Sequence, residues 1–596
     1  MPGLYHFFGE KKENTIKQKL KTNKDIIFKD IIFKDNCEVF VFSNSNYPHF
    51  SWNFCGYNIL FIGMIYNMSK EVIIKYINSQ VELLNAGKDN YLEEISDFIY
   101  DADGDYIVYI YNDKNRSGII YNDILGRLPL YYYSDGSTIS MCSELKGVLH
   151  NVPVIKIDHY ELINTLAFSH SFGNKTIFKN VFRLNYGTVL TFNDKTIKEK
   201  YRIKLKQKSL IINNKEDAIN YISEKLILSV KNRIDTLKVN GYSFIADLTG
   251  GFDSRIIYGS LSQVTKDINY FTFEYIQDES IIARKLFNKL ESKGTYNKLS
   301  FKNEIIKEKI PEIVYKTDGL VNYYTSYICY NDLDYLYKHV ASKKTARFGG
   351  LGGEFFRHPY KIRRKNLLFG IKNGFYNADI DKLIRFFNID KEQYYNYLKE
   401  YLNENYNDTL ENNIKKFYYY EYYRIHVGLN AEDRERIHFW TVHPLWTKDL
   451  ISFFINDFPL RWANYNFFTK LMSKVDERLL EVPIFNSNII LKSNINRIKY
   501  DIINDLNVKY KTEIKSYLTY DMKYFYYVYK LLKRMLFKEK KSKKISDFKM
   551  VLRNKSILHF NDNVDIEELN ENIMWRTIII YINEIVKNYP DKVKHN

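Results

Sequence analysis

The 596-residue chain has little proline and little cysteine, with ten prolines and four cysteines. The cysteines lie far apart, at Cys37, Cys55, Cys142 and Cys329, and the sequence has no CxxC pair and no Cys/His cluster. This spacing argues against a disulfide framework and against a structural zinc site, and it fits a protein kept in a reducing compartment.

Long apolar runs are absent as well. No uninterrupted run reaches the roughly 20 residues that a membrane helix needs. The N-terminal stretch MPGLYHFFGEKKEN lacks the basic and then apolar pattern of a secretory signal. We therefore expect a cytoplasmic protein with no membrane partner.

The bulk composition is that of a globular protein, with 45% hydrophobic and 27% charged residues. The formal net charge is +17, but the lysines are spread along the chain, which favours a solvated surface over a polyanion-binding patch. One basic and aromatic run, 523–544, could contact nucleic acid by charge and stacking. Because such runs are more often a helix with one aromatic face, nucleic acid is not an expected partner. The composition predicts no particular oligomeric state.

A chain of this length should contain two or three domains. Residues 1–205 contain short apolar segments that alternate with turn signals, and this pattern predicts antiparallel sheets with two or three helices. Residues 206–500 contain a helix near 216–234, followed by strands and helices in alternation. That order predicts a doubly wound parallel sheet, whose ligands bind at the carboxyl ends of the strands. The chain from about 360 onward is mainly helical in pattern, and 501–596 form a helical C-terminal extension.

The segment FIADLTGGFDSRIIYGS combines a buried strand, a glycine turn and the start of a helix. This arrangement aims backbone amides and a helix N-terminus at an anion, so a phosphate is the candidate ligand. The turn offers the amides of Gly250 and Gly251, the hydroxyls of Thr249 and Ser254, and the Asp253 carboxylate. A carboxylate beside a phosphate is repulsive unless a cation lies between them, so Asp253 suggests Mg²⁺.

A second turn, GGLGGEFF, has the same combination of glycines and a carboxylate, with Gly350, Gly352 and Gly353 followed by Glu354. It is not a dinucleotide fingerprint, because Phe355 stands at the sixth position of G-x-G-x-x-G, and the first turn is not a Walker A loop. Two such turns could hold a pyrophosphate and its metal from both sides. The alternative is that both are tight turns with a helix-capping acid.

The motifs together resemble one family. LTGGFDS resembles the S-G-G-x-D-S pyrophosphate loop of the N-type ATP pyrophosphatases, and GLGGEFFRHPY resembles the G-E-G-x-D-E-x-F-x-G-Y motif of their asparagine synthetase-like members. The segments DGDYIVYIYND, DILGRLPLYYY and SELKGV look like that family's glutaminase domain. The resemblance covers roughly residues 1–490. It implies an N-terminal antiparallel β-sandwich with helices and a C-terminal ATP pyrophosphatase-like sheet.

The resemblance also implies a set of site residues, with ATP and Mg²⁺ as cofactors. The adenine would lie near Leu248 and Phe273, and Lys470 would neutralise the α-phosphate as pyrophosphate leaves. Tyr360 would border the acceptor site, and Asp318 lies where relatives shape the substrate pocket. Arg255 either contacts phosphate or is an exposed helix arginine. The implied nucleotide and metal ligands are Leu248, Thr249, Gly250, Gly251, Asp253, Ser254, Phe273, Gly350, Gly352, Gly353 and, for the metal, Asp253 and Glu354.

Two departures from the family pattern bear on the reaction. Family members that use glutamine carry a nucleophilic Cys at position 2, where this chain has Pro2, so the glutaminase-like domain should be inactive. Leu351 replaces the first Glu of G-E-G, which in the family is associated with deprotonating the incoming nitrogen. These departures predict that a whole amine, instead of ammonia from glutamine, is the acceptor.

The predicted function is an ATP-dependent ligase that adenylates a carboxylate on a small molecule or peptide and couples it to an amine. Relatives that work without glutamine include β-lactam synthetases and lasso peptide cyclases, which fits specialised metabolite or peptide biosynthesis. Intramolecular and intermolecular coupling both stay open. Two alternatives remain: amidation of a sugar acid or peptide side chain by free ammonia, and a nucleotide-binding pseudoenzyme.

Overall fold

The computed structural model of the protein describes residues 2–10, 15–22, 24–34, 36–205, 212–274, 279–300, 309–322, 326, 330, 333–340, 344–357, 380–430, 432–484 and 573–593. Within this part of the chain, two antiparallel sheets come first and one parallel sheet follows. The α/β architecture with two kinds of sheet confirms the fold class predicted from the sequence.

The first part of the chain forms two six-stranded sheets in which every pairing is antiparallel. Their orders are β10-β8-β9-β1-β3-β2 and β12-β11-β7-β6-β5-β4. The strands are β1 (Gly3–Phe8), β2 (Ile27–Lys34), β3 (Cys37–Ser43), β4 (His49–Phe54), β5 (Tyr57–Ile65), β6 (Gly104–Asn112), β7 (Ser117–Asn122), β8 (Tyr131–Ser134), β9 (Ile139–Cys142), β10 (Phe182–Arg183), β11 (Thr188–Phe192) and β12 (Ile197–Arg202).

The inner faces of these sheets pack through aromatic side chains. His6 of β1 accepts or donates a 3.0 Å hydrogen bond with the Tyr109 hydroxyl of β6, and its ring lies 5.3 Å from that of Phe192 on β11. Burial lowers the pKa of His6 to about 3, so its ring is neutral. Five helices accompany the sheets: α1 (Ile16–Leu20), α2 (Lys70–Asn85), α3 (Tyr91–Asp101), α4 (Leu145–Leu149) and α5 (His159–Phe168).

The parallel sheet has the order β15-β14-β13-β16-β17, and each neighbouring pair is parallel. Its strands are β13 (Ser243–Asp247), β14 (Asn269–Glu274), β15 (Tyr296–Ser300), β16 (Thr345–Phe348) and β17 (Trp440–Val442). The chain runs outward from β13 through β14 to β15, then returns to the other side of β13 with β16. The switch point of the doubly wound sheet therefore lies between β13 and β16.

Helices cover both faces of this sheet. On one face α6, α7 and α16 contact one another, and on the other Leu333 and Leu336 of α10 pack on Ile245 and Phe271. The helices of this part are α6 (Lys215–Val239), α7 (Phe252–Val264), α8 (Ser280–Lys289), α9 (Ile310–Lys316), α10 (Leu333–Val340), α11 (Glu354–Arg357), α12 (Ile380–Phe386), α13 (Lys391–Asn405), α14 (Leu410–Phe417), α15 (Lys448–Asn456), α16 (Tyr465–Val475) and α17 (Ile573–Asn588). A π-helix spans Tyr418–Leu429, and 3₁₀ turns span Glu432–Ile437, Leu460–Trp462 and Glu477–Leu480.

Predicted and observed elements agree along most of this part. The predicted alternation is present, with strands at Asn269–Glu274, Tyr296–Ser300 and Thr345–Phe348. The sequence predicts one apolar helical face from Ile282, Ala283, Leu286, Phe287 and Leu290; Ala283, Leu286 and Leu290 are fully buried, and Ile282 and Phe287 are half-buried. The three-residue strand β17 was not predicted, because the segment around Trp440 carries no alternating pattern. The helical pattern after residue 360 is confirmed in the described ranges 380–429 and 448–484.

A dense polar interface joins the two parts of the chain. Arg436 donates to Asp105 of β6 at 2.7 Å, and Arg127 packs its guanidinium 3.9 Å from the Trp446 ring. Asp318 is buried here: it accepts hydrogen bonds from the backbone amides of Leu145 and Lys146, at the N-terminus of α4. The expectation that Asp318 shapes a substrate pocket is therefore corrected, because its carboxylate is used to cap a helix of the N-terminal part.

A buried carboxyl group, Glu161 of α5, lies at the same interface. It accepts hydrogen bonds from the Phe172 amide at 2.9 Å, from the Asn164 amide group at 3.2 Å and from the Tyr397 hydroxyl of α13. Burial raises the pKa of Glu161 from 4.5 to about 7. None of these contacting groups is a cation, so they do not offset the cost of removing the charged carboxylate from water. The folded protein therefore holds a proton here that the unfolded chain loses near pH 4.5.

This proton makes stability depend on pH. A raised folded-state pKa gives stability that is complete below about pH 4.5 and is lost as pH rises through about 7. We expect wild-type protein to lose up to roughly 3 kcal/mol of unfolding free energy through this group over that range. Glu161→Gln should lose correspondingly less. Urea unfolding at pH 5 and pH 8 measures both, with the exposed Glu93→Gln of α3 as the control; equal losses in wild type and Glu161→Gln would contradict the assignment.

Candidate functional site

The two glycine turns meet at the switch point of the parallel sheet. The first, 248–251, follows β13, and the second, 349–353, follows β16, the strand hydrogen-bonded to β13 through pairs such as Ala246 and Phe348. Because parallel strands end at the same edge, both turns lie on the same side of the sheet. This is the edge at which open α/β sheets bind ligands.

The first turn is closed by hydrogen bonds between its own residues. The Ser254 hydroxyl oxygen accepts from the Thr249 amide at 3.0 Å, and the Thr249 hydroxyl oxygen accepts from the Gly251 amide at 3.1 Å. The same two hydroxyl groups are 2.9 Å apart. The amides of Thr249 and Gly251 are thus bonded to hydroxyl oxygens of the loop itself.

The third loop amide is bonded to a carboxylate from outside the loop. Gly250 donates at 2.8 Å to Oε2 of Glu279, the residue just before α8. Burial raises the pKa of the Glu279 carboxyl, and the hydrogen bond from Gly250 acts in the opposite direction. An anion of the protein itself therefore occupies an amide that a phosphate would need.

Asp253 stands between the two turns, in the first turn of α7. A Cβ added to Gly353 would lie 2.1 Å from Asp253 Oδ1, and a Cβ added to Gly350 would lie 2.9 Å from the Cβ of Asp253. Only residues without a side chain fit this close approach, which explains two of the glycines. The Asp253 carboxylate also accepts a 2.6 Å hydrogen bond from Arg357, whose guanidinium is almost fully buried.

The second turn is held by the π-helix. The Tyr423 hydroxyl accepts from the Gly352 amide at 2.6 Å and donates to Oε2 of Glu354 at 2.9 Å. Burial, reinforced by the charge of Glu354, raises the pKa of Tyr423 well above its usual range, so the phenol keeps its proton. Gly352 has φ +107°, a backbone conformation that residues with a side chain rarely adopt. Inserted π-helical turns often mark functional sites.

The other site residues predicted from the sequence differ in how deeply they are buried. Leu248 is fully buried and its carbonyl accepts from the Thr272 hydroxyl, while Phe273 of β14 is partly buried against Phe271. Lys470 is exposed, two residues beyond the buried Phe468 that approaches Gly353, and so on a different face of α16. Its role at the α-phosphate stays a prediction. Tyr360 and the run 523–544 lie outside the described residues.

Arg255 requires a correction. The sequence left open a phosphate contact or an exposed arginine, and the side chain is instead fully buried. Its guanidinium donates to the carbonyl oxygens of Leu479 at 2.9 Å, Val482 at 2.6 Å and Pro483 at 2.9 Å. Burial lowers the pKa of Arg255 to about 9. It ties α7 to the segment after α16.

Three residues that contact the glycine turns, Glu279, Arg357 and Tyr423, have no signal in the sequence. The sequence around Glu279 does not indicate that this residue contacts the loop, and Tyr423 is one of 53 tyrosines in the chain. Arg357 follows the second turn, where nothing in the sequence pairs it with Asp253.

The donor set allows both expected cofactors. Two carboxylates, Asp253 and Glu354, flank the turns, and Mg²⁺ commonly takes one or two carboxylates with its other positions filled by phosphates and water. Among the described residues no group of three or more His, Cys, Asp or Glu side chains could hold a metal alone.

Two family models match the chain. Residues 49–202 match the family described as glutamine amidotransferase domain, and residues 223–463 match the family described as asparagine synthase. The two matched regions, in this order, support the resemblance to the asparagine synthetase-like family that the motifs indicate. The described residues include no helix long and apolar enough to cross a membrane.

Among curated proteins, the chain is similar to "Putative asparagine synthetase (glutamine-hydrolyzing) 2" of Methanocaldococcus jannaschii, with 29% identity over 188 residues. That match covers 30% of this chain and 34% of the relative, so the chain spans about a third of that protein's length.

Solved structures give weaker similarities. One is glutamine phosphoribosylpyrophosphate amidotransferase from B. subtilis complexed with ADP and GMP, with 12% identity, a TM-score of 0.23 and coverage of 47% of this chain and 70% of that one. Another is described as the allosteric regulatory enzyme of purine biosynthesis, with 9% identity, a TM-score of 0.24 and coverage of 50% and 80%. Scores this low support no conclusion about the site.

The contact between Glu279 and the loop generates a prediction. Glu279→Gln keeps an acceptor for the Gly250 amide but removes a negative charge from the cradle, so inorganic pyrophosphate should bind more tightly. Two like charges about 4 Å apart in water repel by about 1 kcal/mol, which corresponds to about fivefold in affinity. Isothermal titration measures the change. Glu291→Gln, exposed beyond the other end of α8, is the matched control, and unchanged or weaker binding by Glu279→Gln would refute the repulsion.

Proposed function

We propose that the protein is an ATP-dependent ligase that activates a carboxylate as an acyl-adenylate and joins it to an amine. The observation that supports this most directly is the convergence of the two glycine turns on Asp253 at the switch point of the sheet. The asparagine synthase match over residues 223–463 supports the reaction class, since ATP-dependent amide formation is the chemistry of that family.

In the first step the substrate carboxylate attacks the α-phosphate of ATP, and pyrophosphate leaves. The amides of Gly250 and Gly251 and the N-terminus of α7 would bind the leaving pyrophosphate, because both present partial positive charge to an anion. Leu248 and Phe273 would border the adenine, and Lys470 would approach the α-phosphate. Mg²⁺, held by Asp253 and Glu354, would neutralise phosphate charge when bound.

In the second step the amine attacks the activated carbonyl carbon, AMP leaves, and the nitrogen loses a proton. The chain contributes mainly by positioning the two substrates and by stabilising charge. Tyr423 serves this end by fixing both the backbone of the second turn and the Glu354 carboxylate. Two domains, 1–205 and 206–500, and the extension 501–596 fit this division of roles.

We further propose that nitrogen does not come from glutamine. Pro2, at the start of β1, has no thiol and is buried, so the N-terminal region lacks the nucleophile that its family uses there. Leu351 offers no group to accept a proton from ammonia. The amine would therefore be a whole metabolite or part of the carboxylate substrate itself.

The adenylation step is tested by isotope exchange between labelled pyrophosphate and ATP, in the presence of Mg²⁺ and fractionated metabolites and peptides. We expect exchange that requires one fraction and falls by about 100-fold or more in Asp253→Ala, the equivalent of about 3 kcal/mol of charge stabilisation. Asp267→Ala, exposed beyond the other end of α7, should behave as wild type.

If exchange is absent in every fraction, AMP release is measured with paired fractions, since adenylation can require a bound amine. Absence of AMP as well, with tight ATP binding, would favour a nucleotide-binding pseudoenzyme over the ligase.

The nitrogen source is tested separately. Wild-type protein incubated with glutamine should release no glutamate above the blank, and once a carboxylate is known, a larger amine should be preferred to ammonia. Leu351→Glu discriminates between the hypotheses: if free ammonia is the acceptor, the variant should use it better. Improved ammonia use by Leu351→Glu, with no larger amine accepted, would replace the proposal by ammonia-dependent amidation.

A further inference from the structure

The Asp253 carboxylate already has a cation beside it. Arg357, the last residue of the short helix α11, donates to Asp253 Oδ2 at 2.6 Å. The guanidinium side chain is 7% exposed, whereas the Asp253 side chain is 26% exposed. A buried guanidinium retains its charge and requires an anion close by. At this position the anion is the carboxylate that stands in the cradle.

Packing fixes the guanidinium at the loop. Its central carbon lies 5.9 Å from the Phe252 ring centroid and 5.8 Å from that of Tyr465. Phe252 is the first residue of α7, directly after the glycine loop, and Tyr465 begins α16, which also contacts α11. Two aromatic rings and a carboxylate thus hold the Arg357 side chain against the first turn of α7, the helix that follows the glycine loop.

The position is also a departure from the family pattern. In the ungapped match to G-E-G-x-D-E-x-F-x-G-Y, Arg357 stands where the pattern has Phe. The arginine therefore adds a positive charge to the second turn. Two other departures from the pattern remove negative charge, because Leu351 and Phe355 each stand where the pattern has a glutamate. All three substitutions make the second turn more favourable to an anion.

We infer that Arg357 is a phosphate ligand of the glycine cradle, which donates to an oxygen of the bound pyrophosphate group as well as to Asp253. A guanidinium can donate two parallel hydrogen bonds to a phosphate, so it gains a second anionic partner without losing its aromatic contacts. The inference rests on the proposed function, since it takes pyrophosphate as the group that the cradle binds. Its consequence is that part of the phosphate charge is neutralised by the protein, so that pyrophosphate binds even without a divalent cation.

The experiment measures binding of inorganic pyrophosphate to the full-length protein by isothermal titration, in EDTA and in Mg²⁺. In EDTA we expect wild-type protein to bind and Arg357→Gln to bind at least tenfold more weakly. Arg357→Lys keeps the charge but not the two-pronged donor, and should lie between them. Arg478→Gln is the matched control, because Arg478 pairs with Asp476 at 2.7 Å near the opposite end of α7.

The outcomes separate this inference from the proposed function. Wild-type binding that appears only with Mg²⁺ would overturn the role of Arg357 and leave the pyrophosphate site intact. Equal or tighter binding by Arg357→Gln would also overturn it, since the arginine would then only shield Asp253. No pyrophosphate binding in either condition would overturn both the inference and the proposed function.

Discussion

The close contact between the second glycine turn and Asp253 determines the geometry of the whole site. With no side chain at Gly350 and Gly353, the two turns approach so closely that Asp253 lies against both. This approach is possible only because β13 and β16 are adjacent parallel strands that end at the same edge. Everything that the site could bind must therefore fit around one carboxylate and the amides that surround it.

That carboxylate creates an electrostatic problem which one neighbour offsets and another increases. Arg357 neutralises Asp253 on one side, and on the other the loop amide of Gly250 is bonded to a second anion, Glu279. The cradle is thus already organised around negative charge, with donors oriented toward oxygen atoms before any ligand is present. Preorganised donors of this kind do not need to reorient when charge develops on a substrate, which is how such sites stabilise a leaving group.

The fold and the two turns were predictable because their signals are local. The strand, glycine turn and helix around Gly250 are contiguous in sequence, and the alternation of later segments is enough to predict a doubly wound sheet. The partners of the turns were not predictable. Glu279, Arg357 and Tyr423 reach Gly250, Asp253 and Gly352 through contacts that only the folded chain creates, and their sequence neighbourhoods carry no distinguishing pattern. Arg255 shows the same limit, since its helical position gave no sign that four carbonyl oxygens would surround it.

The N-terminal part has a structural role at this site that does not depend on amide hydrolysis. The Asn46 side chain accepts from the Thr345 amide at 2.7 Å, at the start of β16, and donates to the His438 carbonyl at 2.7 Å, just before β17. Asn44 donates to the carbonyl of Ile437, and Arg436 is anchored to Asp105. These contacts hold the starting points of the two strands that lie on the far side of β13. Since β16 carries the second glycine turn, a chain that lost its N-terminal sheets would also lose the contacts that support this turn, and this constraint acts on the region whether or not it has a nucleophile.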